Sequence, residues 1–353
     1  MSFPKVHQRG WKFLADYSGD SLWFRLQRKA TMAATGLWAR AMVKNVYDTK
    51  YHNLDTLLEA YKTSKIENRG LLTIMNHTSV LDEPLCWGLL PLEHLLYPRR
   101  MRWTLGAENI CFRNKFVSKF FSLGQVLSTR RFGAGPFQDS IDASICLLSR
   151  ERSSGSYKYS PSLPRFRSSG DIGANVPQWV HTFPESIVHQ PVEPYNNTLR
   201  YFKWGVSRLV LEPTVPPIIV PIFTKGLEKV MPEHISKHTL GPIGAKIDFA
   251  VGDPIDDNVI ADLRRRWLDL VHEQSGPDAQ LDEMPESLRT GEVAQALRSE
   301  TASVLRDSVV RASAIFDLPK DQARMSDPQF WKSDTRDIAV RTVNDRITRN
   351  QHR

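Results

Sequence analysis

The residues best suited to chemistry lie in one short stretch, NHTSVLDEP, at positions 76–84. His77 and Asp82 are five residues apart, directly after an apolar, β-prone run at 71–75. A tight bend after a strand lets one imidazole nitrogen face Asp82 and the other face a substrate, as in a general base with its orienting carboxylate. On spacing alone the commoner interpretation is structural: Asp82 caps a helix with Pro84 in its first turn, and His77 is a polar loop residue.

The surrounding sequence alternates strand-like runs with helical patterns. β-prone runs end in polar clusters before Asn76, before Arg130 and before Pro184, and two further strand candidates lie at 218–223 and 246–251. Such alternation predicts an α/β fold with a central, largely parallel sheet flanked by helices. Ligands of these sheets bind beyond the carboxyl ends of the strands, so we expect the three clusters to meet at one site.

Composition divides the chain into one main domain with extensions at both ends. Residues 1–50 mix aromatic and basic residues, which is typical of amphipathic helices on an anionic membrane and equally of a helical cap on the core. The strand pattern occupies residues 51–255, interrupted at 149–177 by a segment rich in Ser, Gly, Pro and Arg that predicts a flexible loop. Residues 256–317 have helical spacing, and residues 318–353 are polar, so we expect a helical extension and a frayed tail.

The charge balance restricts the class of partner. Lys and Arg number 47 against 39 Asp and Glu, and the formal charge of +8 favours an anionic partner. No Walker A, zinc-finger or RNA-recognition signature is present, so we predict no nucleic acid as partner. The longest uncharged run of the N-terminal region, residues 30–39, is short of the about 20 apolar residues of a spanning helix. His234 and His238 are four apart but lack the Glu of H-E-x-x-H, so no metal site is predicted either.

Further motifs accompany HTSVLD along the chain. They are RRFG at 130–133, GPFQ at 135–138, FPE at 183–185, FKWG at 202–205 and PPIIVPIF at 216–223. In this order HTSVLD, RRFG, FPE and the proline run resemble the glycerolipid acyltransferase family, whose histidine and aspartate are separated by four residues. GPFQ and FKWG are similar to its mitochondrial phospholipid transacylase branch, in particular to the fungal form. The resemblance covers most of residues 60–255.

The resemblance implies roles for individual residues. His77 would be the catalytic base and Asp82 its partner. Arg131 would help to hold a phosphate through bidentate hydrogen bonds, with Arg130 as the alternative because one sequence does not fix the register. Glu185 would help to position the polar glycerol portion of the substrate.

The chain departs from the family pattern at Ser186, where glycine usually follows the glutamate. If this position needs a positive φ, serine adds strain; if only a backbone N–H is used, serine supplies it equally. Lys203 and Arg208 rank below Arg131 as phosphate contacts, because their spacing fits one solvated face of a helix.

Two apolar segments allow alternative placements. Phe112, Phe116 and Phe120 fall at i, i+4 and i+8, so this helix would bury them in the core or in lipid, and we expect the core. Residues 209–223 are apolar, but their prolines forbid a regular helix. This segment would either dip into one membrane leaflet or form a buried strand at 218–223.

The resemblance implies acyl transfer between phospholipids and lysophospholipids, with no coenzyme A and no other cofactor. The lipids would be phosphatidylcholine, monolysocardiolipin and cardiolipin, on mitochondrial membranes facing the intermembrane space, with a monotopic attachment. Homo-oligomers and larger membrane complexes stay open. The alternatives are a coenzyme A-dependent lysophospholipid acyltransferase with the same His/Asp pair, or a catalytically weak membrane-binding protein if Ser186 disables the site. A covalent acyl-enzyme is not expected, because the chain has no G-x-S-x-G elbow.

Overall fold

The computed structural model describes residues 3–17, 21–131, 134–150, 176–191, 199–232, 241–275, 282–318 and 323–333. Its strands are β1 (Asp48–His52), β2 (Leu71–Met75), β3 (Trp103–Ala107), β4 (Val126–Thr129), β5 (Trp179–Thr182), β6 (Ile218–Lys225) and β7 (Lys246–Val251). The helices of the N-terminal half are α1 (Pro4–Tyr17), α2 (Leu22–Ala41), α3 (Leu54–Ile66), α4 (Asp82–Cys86), α5 (Leu92–Leu96), α6 (Glu108–Cys111), α7 (Lys115–Leu123) and α8 (Asp139–Leu148). Those that follow are α9 (Gly205–Leu211), α10 (Leu227–Val230), α11 (Asp257–Ser275), α12 (Glu286–Thr290) and α13 (Glu292–Ala312).

The seven strands form one sheet in the order β1-β7-β6-β2-β5-β3-β4. Every neighbouring pair is parallel except β6 and β7, which are antiparallel. All five residues of β2 are buried, as expected for a parallel strand covered on both faces. The predicted α/β fold with a largely parallel sheet is therefore confirmed.

The apolar segment at 209–223 lies in the core. Residues 209–211 are buried in α9, and β6 pairs with β2 on one side and β7 on the other. Seven of the eight residues of β6 are buried, and α3 and α13 pack against it. The buried-strand interpretation is thus confirmed, and insertion of this segment into a leaflet is wrong, because the sheet already covers its apolar side chains.

The two N-terminal helices, α1 and α2, differ in how much of their apolar surface is buried. α1 lies against α8 and buries Val6 and Leu14. The two helices approach so closely at Gly10 that an added Cβ would come within 2.5 Å of the carbonyl oxygen of Asp142. α1 is therefore a helical cap on the core, whereas α2 buries only part of its apolar surface. Among the helices that the structure describes, none is both long enough and apolar enough to cross a bilayer.

The C-terminal segment is more ordered than its polar composition predicts. Residues 323–326 and 330–333 form 3₁₀ turns, and Met325 and Trp331 are fully buried. The Arg200 guanidinium lies 4.0 Å from the Trp331 ring, so a cation–π contact holds this end of the chain to the core. Fraying is therefore wrong for 323–333, while the rest of the predicted tail from 334 onward, and most of the predicted loop at 149–177, lie outside the described residues.

The phenylalanine stripe also differs from expectation. Phe112 is partly buried, but Phe116 is 83% exposed and Phe120 is 46% exposed. α7 follows β3 and precedes the edge strand β4, and it presents Phe116 and Phe120 outward. Burial of the whole stripe in the core is therefore wrong.

Candidate active site

The polar clusters meet where the parallel strands end. β2 leads into His77, β4 into Arg130 and Arg131, and β5 into the turn that contains Ser186. These four residues line one cavity of about 1100 Å³. Most of the other side chains around this cavity are apolar, and they come from α2, α4, α7, β3 and α13.

His77 and Asp82 form the pair that their spacing predicts. Nδ1 of His77 lies 2.9 Å from Oδ2 of Asp82. The bend at 76–81 brings the two side chains together, and α4 begins at Asp82. On its other side the imidazole stacks on Phe183, with ring centroids 4.3 Å apart. With Nδ1 facing the carboxylate, Nε2 is the nitrogen left for chemistry in the cavity.

Asp82 is fully buried and holds the bend as well as the imidazole. Its Oδ2 accepts hydrogen bonds from the backbone N–H groups of Thr78 at 2.5 Å and Ser79 at 2.9 Å. Oδ1 accepts one from the Thr78 hydroxyl at 3.2 Å. The carboxylate thus binds groups before the helix and does not cap the N–H groups that follow it. The helix-cap interpretation of Asp82 is therefore wrong, and the carboxylate holds the bend and the imidazole together.

Glu185 faces the backbone of the site. One carboxylate oxygen accepts the N–H of His77 at 2.9 Å, and the other accepts the N–H of Arg200 at 3.0 Å. Burial raises the pKa of Glu185 to about 7, although these two N–H donors act to lower it. Glu185 is not among the described residues that line the cavity, so its carboxylate positions the His77 peptide from behind. Contact with the glycerol of a substrate stays a prediction.

Ser186 has a φ of 66°, which lies in the left-handed region. Its N–H donates to the carbonyl of Phe183 at 3.0 Å, which closes the turn after β5. Its carbonyl accepts a hydrogen bond from Arg131 at 3.3 Å. The position thus requires a positive φ, and its N–H is already used within the turn.

The two neighbouring arginines have different surroundings. Arg131 is partly buried and also donates to Oδ1 of Asn109 at 3.1 Å. Burial lowers the pKa of Arg131, because the charged guanidinium has lost part of its hydration. An anion bound in the cavity would compensate for that lost hydration. Arg130 is 70% exposed in its side chain and pairs with Glu108 at 3.3 Å. The geometry therefore favours Arg131 for a ligand inside the cavity.

Lys203 and Arg208 lie in different environments. Lys203 lines the cavity, and its backbone N–H donates to the carbonyl of Pro184 at 2.9 Å. Arg208 is buried, with both terminal atoms of Glu212 at 2.6 Å and Asp142 at 2.9 Å. Burial acts to lower the pKa of Arg208, but the two carboxylates outweigh it and raise the pKa. A solvated face is therefore wrong for Arg208, and the described lining of the cavity does not include it.

The cavity wall contains an ion pair that the sequence analysis did not predict. Glu83 and Arg102 both line the cavity and form a hydrogen-bonded pair, and Trp87 donates to Glu83 at 3.2 Å. Glu83 directly follows Asp82 and could have been noted as a site residue, but Arg102 lies 19 residues further along the chain.

Beneath the site, His181 packs edge-on against Trp87. Burial lowers the pKa of His181 well below 6.5, which favours its neutral form.

Among the described residues, no group of three or more His, Cys, Asp or Glu side chains could hold a metal ion. His234 and His238 lie outside the described residues.

Comparisons with known proteins agree with this geometry. An acyltransferase family model matches residues 48–225. Tafazzin of Saccharomyces cerevisiae is 41% identical over 350 residues, which cover 94% of this chain and 90% of the relative. A tafazzin of Dictyostelium discoideum is 39% identical over 219 residues, covering 58% and 65%. N-acylphosphatidylethanolamine synthase of Arabidopsis thaliana is 30% identical over 265 residues, covering 74% and 80%. The resemblance inferred from the sequence motifs is confirmed: the chain belongs to the tafazzin family of acyltransferases.

Proposed function

We propose that the chain transfers acyl groups between phospholipids and lysophospholipids without coenzyme A, and that it remodels cardiolipin from monolysocardiolipin. The observation that carries the proposal is the His77–Asp82 pair in the wall of a large, mostly apolar cavity. A cavity of this kind suits a substrate with long hydrocarbon chains and one polar reacting centre. We further propose that the chain acts on mitochondrial membranes, on the side that faces the intermembrane space, with attachment to one leaflet.

In the first step, Nε2 of His77 accepts the proton of the free glycerol hydroxyl of the lysophospholipid. The oxygen attacks the ester carbonyl of the donor phospholipid, and a tetrahedral oxyanion forms. Asp82 holds the imidazole in the tautomer that leaves Nε2 unprotonated, and it stabilises the imidazolium that results.

In the second step, the tetrahedral intermediate collapses and the bond to the donor glycerol oxygen breaks. The imidazolium returns its proton to that departing oxygen. One ester bond has formed, one has broken and the base is regenerated, so the reaction needs no cofactor and is close to balanced in energy. Its direction then follows from the relative amounts of the lipids.

The cations near the turn at 183–186 supply the contacts for the polar head. The Arg131 guanidinium donates to the carbonyl of Ser186, and the backbone N–H of Lys203 donates to the carbonyl of Pro184. A lipid phosphate between them would lie beside the base, because Glu185 in the same turn holds the His77 peptide. Arg131 offers the forked guanidinium that suits a phosphate.

The Arabidopsis relative favours a second candidate function. Its name denotes an enzyme that acylates the amine of phosphatidylethanolamine. The same base could deprotonate an ammonium head group in place of a glycerol hydroxyl, so the two activities would differ in the acceptor that the cavity admits. Product analysis separates them, because an amide resists mild alkaline hydrolysis and an ester does not.

The test mixes purified protein with acyl-labelled phosphatidylcholine and either monolysocardiolipin or phosphatidylethanolamine. We expect labelled cardiolipin from the first mixture without coenzyme A. Transfer only from acyl-coenzyme A would identify the coenzyme A-dependent alternative, and label in an alkali-stable product would identify the N-acylating one. Liposome binding without any acyl transfer would identify the chain as a membrane-binding protein without this activity. A folded His77→Ala variant provides the background for each measurement.

A further inference from the structure

α2 presents an apolar stripe on its outward face. Its buried residues are Arg28, Met32 and Ala39, and the Arg28 guanidinium lies 4.9 Å from the ring centroid of Phe24. Its outward stripe is apolar: Trp23 is 68% exposed and Leu26 is 50% exposed. The stripe continues through the exposed residues Ala30, Ala34, Leu37, Trp38 and Ala41, which follow helical spacing. A helix that faced only water would present polar side chains on this side.

A second apolar ridge lies beside this stripe. α7 packs against α2 and exposes Phe116 and Phe120, which are four residues apart and share one face of the helix. Ile110, on the preceding α6, is 48% exposed. The two ridges together form a surface, here called the α2–α7 face, that is defined by the outward residues of α2 together with Ile110, Phe116 and Phe120.

The α2–α7 face surrounds an entrance to the cavity. Trp38, Ile110, Phe120 and Val80 are all more than two-fifths exposed, and each also lines the cavity. The same side chains therefore border both the exterior and the space that contains His77. A ligand that enters here meets only apolar groups at these four positions, which suits a hydrocarbon chain and not a soluble metabolite.

The charges in the segments that carry the apolar residues are mostly positive, and Glu108 on α6 and Glu93 on α5 are each paired with an arginine. Positions 21–47 and 109–138 contain no Asp or Glu. Lys29 on α2 and Arg113, Lys115 and Lys119 around α7 are exposed. Apolar side chains bordered by cations match a bilayer with anionic head groups, in which the apolar groups reach the acyl region and the cations stay among the phosphates.

We propose that the α2–α7 face docks on an anionic phospholipid bilayer, so that the cavity entrance opens directly into the acyl region of one leaflet. This inference rests on the proposed function, since it names the surface from which that site takes its lipids. A docked entrance lets a substrate chain pass between membrane and cavity without crossing water, so that its CH₂ groups stay in an apolar environment throughout. It also assigns to α7 a role that the core location predicted from sequence would not give it.

The experiment measures binding of the full chain to phosphatidylcholine vesicles with and without phosphatidylglycerol. Phe116→Ser and Trp23→Ser change residues that are not among the described lining of the cavity. We expect each to weaken binding to both kinds of vesicle about tenfold, equivalent to about 1.4 kcal/mol, and the double variant about 100-fold. The matched control is Ile66→Ser, because Ile66 is 84% exposed on α3, which packs on β2, β6 and β7. It should bind like the unchanged protein.

A charge variant and a micelle assay complete the design. Lys115→Gln with Lys119→Gln should weaken binding to anionic vesicles about fivefold per lysine and leave neutral vesicles unaffected. Acyl transfer between lipids dissolved in detergent micelles should persist in Phe116→Ser, since no docking is needed there. Vesicle binding that is unchanged, or reduced equally by Ile66→Ser, overturns the proposal. So does a self-association of the unchanged chain that Phe116→Ser abolishes while vesicle binding persists, because the face would then join two copies. No transfer in micelles by the unchanged chain refutes the proposed function and leaves the docking result standing.

Discussion

Ser186→Gly should make the protein more stable without loss of turnover. The residue has a φ of 66°, where an L side chain costs about 1–2 kcal/mol relative to the right-handed region. Glycine removes that strain, but it also raises the conformational entropy of the unfolded chain, which stabilises the unfolded state by about 0.4–1 kcal/mol. The two effects oppose each other, and the strain is the larger. We therefore expect a net gain of about 0.5–1 kcal/mol in the free energy of unfolding.

The gain corresponds to a small shift in melting temperature. An unfolding entropy of about 2.1 cal/mol/K per residue gives roughly 0.7 kcal/mol/K for this chain, so the melting temperature should rise by about 1 °C. Urea unfolding followed by tryptophan fluorescence is the more sensitive assay. The backbone contacts of this residue with Phe183 and Arg131 use its N–H and carbonyl, and glycine keeps both. Turnover should therefore be equal or higher.

A matched control separates strain from chemistry. Asn68 also has a positive φ, of 53°, at the end of α3. Asn68→Gly should give a smaller gain, because asparagine tolerates this region better than serine, and it should leave turnover alone. If Ser186→Gly lowers the free energy of unfolding, the strain argument is refuted. If it stays folded and loses most of its activity, the serine hydroxyl itself takes part.

Three further predictions concern the buried charges and the base. His77→Ala should lower turnover about 10²- to 10⁴-fold with little loss of stability, and a folded His77→Ala with normal turnover would refute the base. Asp82→Asn should also lower the free energy of unfolding by about 1–3 kcal/mol, because the neutral amide keeps only one oxygen acceptor where the buried carboxylate accepts hydrogen bonds on both oxygens. For Glu185 the folded-state pKa of about 7 exceeds the unfolded 4.5, so its contribution to stability falls as pH rises through this window. Glu185→Gln should lower kcat more than it raises KM, and the stability difference between the unchanged chain and the variant should decline from pH 4.5 to 7 and level off above; a constant difference would contradict the shifted pKa. Arg208→Ala should lower the free energy of unfolding by about 3–5 kcal/mol, because two buried carboxylates lose their counter-charge, and a stable variant with selectively weakened lipid binding would contradict this structural role.

The sheet and the His77–Asp82 contact were predictable because their signals are local, whereas the role of His77 as a base came from the family resemblance. Strand-like runs alternate with helical patterns, and the residues after each run meet at one edge whatever the details of packing. The His77–Asp82 contact needs only a bend of five residues. The same logic identified residues 218–223 as a strand candidate, but it could not decide between core and membrane. That decision depends on β2 and β7, which are far away in sequence and cover β6 on both sides.

The direction in which a side chain points was not predictable. Glu185 at a strand exit can face a cavity or the backbone, and the N–H of Arg200, 15 residues later, decides between them. The spacing of Arg208 and Glu212 hinted at an i, i+4 ion pair, but burial of that pair depends on Asp142, 66 residues away in sequence. Likewise, the periodicity of Phe116 and Phe120 defines a face without telling which side of the helix the core occupies.

The segment after β5 organises the residue that follows β2. The N–H of His77 donates to Glu185, and its carbonyl accepts the N–H of His189 at 2.6 Å. Both backbone groups of His77 are therefore used by residues of one neighbouring segment, while Asp82 fixes the imidazole. The proposed base is held at its peptide and at its ring, so its orientation is established on folding. We therefore expect the FPE motif to affect catalysis through the placement of His77.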